Sequence, residues 1–249
     1  MKQKQKKNKF SQSAYWIGGK HAVEAALNNT KRKKILLVKH KKFLESEKII
    51  KDVRIDYQND DFFKKIFNNE IPHQGYALLI EKIKENNIQF YIDQNKINNV
   101  LALDGVTDPR NIGSIIRTAV AFGYEAILIN KKNFNPKSFL LYKAASGAIE
   151  KIILIETSNI LNEIKILKSN NFWVLGMDGG ATQSIYNYKP QLKNLVIFGS
   201  ESSGMKNLIK TNCDEICKIP INSDNVQSLN VSNAVASALS ILNYKKYVK

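Results

Sequence analysis

The sequence predicts an α/β protein, with a mostly parallel sheet in its C-terminal part and a small α/β domain in front. Two observations carry this. From residue 98 onward, short apolar runs of strand length alternate with helical spacing, the pattern of successive βαβ units. Nine of the twelve glycines fall between residues 105 and 204, where tight turns and close backbone approach are needed.

Taken in order, residues 1–9 are rich in Lys and Gln with no apolar stretch behind them, which reads as a basic flexible tail and not a secretory signal. Residues 10–80 form the small domain: a helix signal at 21–27, a strand at 34–38, a charged helix at 43–51 and a strand at 75–80. Residues 81–97, opening Glu-Lys-Ile-Lys-Glu-Asn-Asn, read as a linker. In residues 98–249, strands are predicted near 100–104, 125–129, 151–155, 172–176, 195–199 and 216–219, with helices between. The last helix, 231–244, is dense in small residues (Ser232, Ala234, Ala236, Ser237, Ala238, Ser240), which suits close approach of another helix.

Composition excludes several classes. Hydrophobic and charged fractions of 43% and 24% are those of a globular protein. No apolar run approaches the ~18–20 residues of a membrane span. Cys213 and Cys217 are the only cysteines and have no histidine near them, so they read as reduced thiols in a cytoplasmic compartment and no metal site is expected. His21, His40 and His73 are scattered, which gives hydrolase chemistry no pair to work with. The loop Gly176–Gly180 lacks the G-x-G-x-x-G spacing of a dinucleotide site.

The formal charge of +16 points to a polyanionic partner, and its distribution is uneven. Residues 1–97 carry 21 basic and 11 acidic side chains, against 17 and 11 in the remainder, so the excess sits mainly in the first part. That fits an RNA-gripping domain.

Within this basic surplus arginine is scarce. Only four of the 38 cations are Arg, and two of them, Arg110 and Arg117, lie in one segment, Leu-Ala-Leu-Asp-Gly-Val-Thr-Asp-Pro-Arg-Asn-Ile-Gly-Ser-Ile-Ile-Arg-Thr-Ala, residues 101–119. A guanidinium is a planar, permanently charged fork that Lys cannot imitate, so Arg117 reads as a reagent. The segment reads as strand, turn and helix, with helical apolar spacing from about Ile112 and a polar stripe of Asn111, Ser114, Arg117 and Thr118. On this reading Asn111 is either the helix N-cap or part of a site.

Two further segments decide for a site. Leu195-Val196-Ile197-Phe198-Gly199-Ser200-Glu201-Ser202-Ser203-Gly204 runs a buried strand into a Gly/Ser loop. Ile219-Pro220-Ile221 precedes a polar stretch and then Ser228-Leu229-Asn230-Val231-Ser232, which opens the last helix. In order and spacing the three segments resemble the signature motifs of the SpoU family of RNA 2'-O-ribose methyltransferases, within the SPOUT superfamily. His73-Gln74-Gly75 resembles a mark of its 23S ribosomal-RNA guanosine branch. The resemblance runs from about Ile17 to Leu242.

It implies S-adenosylmethionine as cofactor and a C-terminal sheet threaded into a trefoil knot around it. Position by position, it implies Asn111, Arg117, Glu201, Ser228 and Asn230 as catalytic residues and Met177, Gly199, Ile219 and Leu229 as cofactor-binding. A homodimer packed through the last helix is implied too. Ser202 departs from the family pattern, standing where a glycine is usual. The expected function is 2'-O-methylation of guanosine in large-subunit ribosomal RNA. The alternatives are a transfer-RNA 2'-O-methyltransferase and a non-catalytic RNA-binding protein on the same scaffold.

Overall fold

The structure, a computed structural model, describes residues 13–43, 53–67, 73–201, 203–222 and 228–247. The tail at 1–9, residues 44–51 of the expected charged helix and Ser202 lie outside the described residues. The chain divides into two compact units, residues 1–84 and 85–249.

The first unit is a four-stranded sheet in the order β1-β4-β2-β3, formed by β1 (Ala14–Gly18), β2 (Lys34–His40), β3 (Arg54–Gln58) and β4 (Tyr76–Glu81). β4 runs antiparallel to both β1 and β2, and β2 pairs β3 in parallel. Two helices, α1 (Lys20–Asn28) and α2 (Asp60–Phe67), accompany it among the described residues. α2 has Asp60 and Asp61 in its first turn and Lys64 and Lys65 in its last, matching the helix dipole, and buries Phe63 and Phe67 one turn apart. β1, β3 and α2 are not among the elements the sequence predicts. β3, Arg-Ile-Asp-Tyr-Gln, alternates over only five residues, too few to separate from a loop.

The His73-Gln74-Gly75 turn has a structural role here. Gln74 and Gly75 both take positive φ, 55° and 78°. The Gln74 Oε1 accepts from Lys20 N at 2.9 Å and so caps α1, whose own N-cap residue, Gly19, has no side chain to do so. His73 stacks on Phe63, centroids 4.3 Å apart, and its Nδ1 accepts from Gly75 N at 3.1 Å. Burial holds the His73 pKa below the usual histidine value, against the opposing pull of Asp60.

The second unit holds a seven-stranded sheet whose strand pairings are all parallel. Its strands are β5 (Asn99–Asp104), β6 (Ala126–Asn130), β7 (Ile153–Thr157), β8 (Trp173–Met177), β9 (Gln183–Ser184), β10 (Asn194–Gly199) and β11 (Glu215–Lys218). The order is β7-β6-β5-β10-β8-β11-β9, so β10 is inserted between β5 and β8. Strands β5, β6, β8 and β10 are near-continuous apolar runs, as a sheet covered on both faces requires. The helices are α3 (Ile88–Asp93), α4 (Pro109–Ala121), α5 (Phe139–Ala145), α6 (Ile160–Ser169), α7 (Asn207–Lys210) and α8 (Val231–Tyr247).

The reading of 81–97 as a linker is corrected. Asn87 caps α3 by accepting from Phe90 N at 3.0 Å. Ile88, Tyr91, Ile92 and Ile97 then join the core formed with β5, β6 and α6. Apolar residues at i, i+3 and i+4 are a helix signal, and the flanking Lys, Glu and Asn residues hide it.

Candidate active site

Because the sheet is parallel, the loops that follow β5, β8, β10 and β11 gather at one edge, where ligands of open α/β sheets bind. α4 begins there. Its N-cap is Asp108, whose Oδ1 accepts from Arg110 N at 2.6 Å and from Asn111 N at 3.4 Å, and Pro109 fills the first helical position. Asn111 is therefore not the cap, and its side chain is left to the site. Gly113 fixes the helix in place: a Cβ there would lie 2.5 Å from Leu141 O and 2.7 Å from the Ala144 Cβ, so α4 and α5 cross almost backbone to backbone.

Two helix starts and a loop meet at Glu201. Its Oε1 accepts from Asn111 Nδ2 at 3.2 Å, Asn230 Nδ2 at 2.5 Å and Val231 N at 3.0 Å. Asn230 Nδ2 also reaches Asn111 Oδ1 at 3.2 Å. On its other side, Asn230 Oδ1 accepts from Ser232 N at 3.0 Å and Ser232 Oγ at 2.5 Å, closing the first turn of α8. One carboxylate thus ties the start of α4, the loop after β10 and the start of α8 together.

Beside this cluster lies a cavity of about 480 Å³. Met177, Glu201, Ile219, Ser228 and Leu229 are in its wall, as is the backbone around Gly199. Gly199 cannot be any other residue, since a Cβ would stand 2.0 Å from Gly204 C and 2.2 Å from Met205 N. The loop folds back on it through paired bonds, Ser200 N to Gly204 O at 3.2 Å and Gly204 N to Ser200 O at 2.9 Å.

Sequence reasoning misses Asp178, which also lines the cavity. Burial alone would raise its pKa, but the Lys210 ammonium at 2.5 Å and the Gly180 amide outweigh that and hold the carboxyl below its usual value. The available signal is the Gly176–Gly180 loop at a strand's carboxyl end. Asp104, buried at the end of β5, is missed as well; it accepts from Lys206 N at 2.8 Å and so moors the loop after β10 to β5.

Of the predicted residues, Arg117 stands apart. It is exposed on α4, six residues and about 9 Å along the axis from Asn111. It makes no hydrogen bond or ion pair among the described residues and does not line the cavity.

The chain matches the SpoU rRNA Methylase family over residues 98–240. A Staphylococcus aureus relative assigned to the TrmH family of tRNA/rRNA methyltransferases is 35% identical over 228 residues, 88% of this chain and 92% of that protein. Among solved structures, the SpoU methyltransferase AviRb from Streptomyces viridochromogenes in complex with AdoMet aligns with a TM-score of 0.79 at 16% identity, covering 95% of this chain and 92% of that one. An RNA methyltransferase of the TrmH family from Porphyromonas gingivalis aligns with a TM-score of 0.75 at 22% identity, covering 92% and 89%. At such identities the two structures show the shared fold. With the family matched over more than half its length and a curated relative covered nearly end to end, the chain belongs to the SpoU rRNA Methylase family and is an RNA methyltransferase.

Proposed function

We propose that the protein transfers a methyl group from S-adenosylmethionine to the 2'-oxygen of a guanosine ribose in large-subunit ribosomal RNA. The observation that carries the methyl-transfer part of this reading is the Asn111–Glu201–Asn230 cluster, which joins the start of α4, the loop after β10 and the start of α8, with Glu201 in the cavity wall. The guanosine and large-subunit assignments rest on the resemblance carried by His73-Gln74-Gly75. The cavity fits the cofactor: its size lies within the roughly 300–1,000 Å³ of small-molecule sites, and its wall mixes apolar side chains with turn backbone. Gly199, Ile219 and Leu229 would hold the cofactor by backbone groups, Met177 by packing, and Ser228 would face it across the cavity. When bound it would supply an already activated methyl group, whose transfer needs no metal.

The chain's own work is then alignment, worth roughly 7–11 kcal/mol of the barrier in favourable cases. Asn111 and Asn230 present amide groups to the ribose, and Glu201 is the positioning residue that fixes both. Arg117 grips a phosphate beside the target through its two-pronged guanidinium. There it stabilises the charge that develops on the 2'-oxygen as the proton leaves.

Three further assignments belong to this reading. A homodimer packed through α8 is supported by the helix's run of small residues (Ser232, Ala234, Ala236, Ser237, Ala238 and Ser240). A trefoil knot is supported by the insertion of β10 between β5 and β8 after the chain has passed β8 and β9. Free thiols at Cys213 and Cys217 fit a cytoplasmic enzyme. Incubation of the protein with methyl-labelled cofactor and either a 23S transcript or pooled tRNA, followed by nucleoside digestion, tests the proposal. Label in 2'-O-methylguanosine from the 23S transcript is expected; label in tRNA alone would move the substrate, and label on a base would refute the ribose assignment.

A further inference from the structure

A second cavity, about 170 Å³, opens beside the start of α4. Thr107 from the loop after β5, Pro109 and Ile112 from the start of α4, and Lys132, Asn133 and Phe134 from the turn after β6 surround it. Three of these carry polar side chains without a partner among the described residues. The Thr107 hydroxyl, the Lys132 ammonium and the half-buried Asn133 carboxamide make no hydrogen bond or ion pair among the described residues. Neighbouring polar residues are engaged: Asn130 and Asn135 close their own turns on Lys132 N and Lys137 N at 2.9 and 3.0 Å. The floor is apolar, with Phe134 and Ile112 buried.

Strand order places this cavity. The Asn111–Glu201 bond spans the ends of β5 and β10, whereas the cavity lies across the ends of β5 and β6, one strand position over. The two sites also share the start of α4, where Asn111 turns to Glu201 and the next residue, Ile112, lines the cavity, so they are neighbours within one helix turn. An apolar slot with an aromatic floor and a free carboxamide at the rim is the chemistry that takes an unstacked RNA base, packing its face and pairing its edge. A carboxamide offers a donor and an acceptor side by side, as a base edge does.

We infer that this cavity receives the base of the nucleotide whose ribose is methylated, with Asn133 and Thr107 reading its edge and Lys132 facing its phosphate. The inference rests on the function proposed above, and the test separates the two. The full chain, Asn133→Ala and Thr107→Val are compared for cofactor binding by calorimetry and for methyl transfer to the 23S transcript. Amide NMR shifts are then followed during titration with each nucleoside 5'-monophosphate, with ribose 5-phosphate as the base-free control. Wild type should methylate the transcript, while each variant should keep its cofactor affinity within about twofold and lose at least tenfold in kcat/KM. GMP should shift the amides of residues 107 and 133–135, and ribose 5-phosphate should not. If wild type methylates and both variants match it, or if no monophosphate shifts these amides, the cavity is not the base site. If wild type itself transfers no methyl group, the proposed function fails first.

Discussion

Replacing Glu201 with Gln tests the cluster without emptying it. The glutamine keeps the size and one carbonyl oxygen, so all three bonds to Asn111, Asn230 and Val231 can re-form with a neutral acceptor. Bonds to a charged group contribute about 1.5–3 kcal/mol and neutral ones about 0.5–1.5, so three bonds weaken by about 3 kcal/mol in total. Glu201 is exposed, and water screening cuts this at least by half. What remains, about 1.4 kcal/mol, corresponds to about tenfold in rate if it is spent on holding Asn111 and Asn230 in place. Initial rates of label transfer at saturating cofactor, with kcat and KM measured separately, provide the assay. A fall of about five- to twentyfold in kcat is expected, with the melting temperature changed by no more than about 2 °C. A kcat within twofold of wild type would show that the carboxylate does not position the site.

Arg117→Lys should cost at least tenfold in transfer, about 1.4 kcal/mol, while calorimetry shows cofactor affinity unchanged. Gly199→Ala places a methyl group where backbone already stands and should abolish cofactor binding by calorimetry while the first unit's fold survives by NMR. A chain cut to residues 85–249 should fold and bind cofactor. Cutting at 98 removes Ile88, Tyr91, Ile92 and Ile97 from the core, at about 1.5–3 kcal/mol per side chain, and should leave no cooperative melt by circular dichroism. His73 has a lowered pKa in the fold, so the unfolded chain binds its proton more readily. The neutral ring's stabilising contribution is therefore present above the unfolded value of about 6.5 and is lost as pH falls through the window from there to the lowered folded value. His73→Phe should flatten that part of the stability–pH curve measured by urea titration.

How much of this was legible in the sequence depended on how local each signal is. β5, β6, β8 and β10 are apolar runs bounded by turns, and they stand where the pattern puts them. The start of α4 was legible in principle: Asp108-Pro109 is an N-cap followed by the favoured first residue, but the same pair also reads as a turn, which displaces the helix start to Ile112. α3 was hidden by its charged neighbours. The insertion of β10 between β5 and β8 is a matter of strand order, which no periodicity encodes, and with it goes the meeting of Asn111, Glu201 and Asn230 across 119 residues. Asp178 was unreadable for a related reason. Its role depends on Lys210, which α7 brings to it from 32 residues away.

The most direct test of the central claim is a map of 2'-O-methyl groups in RNA from cells with and without the gene, completed by the Arg117→Lys variant. One ribose methyl in large-subunit ribosomal RNA, on a guanosine, should vanish with the gene, return with the wild-type chain and stay absent with the variant. An unchanged 2'-O-methyl map across ribosomal and transfer RNA would contradict it.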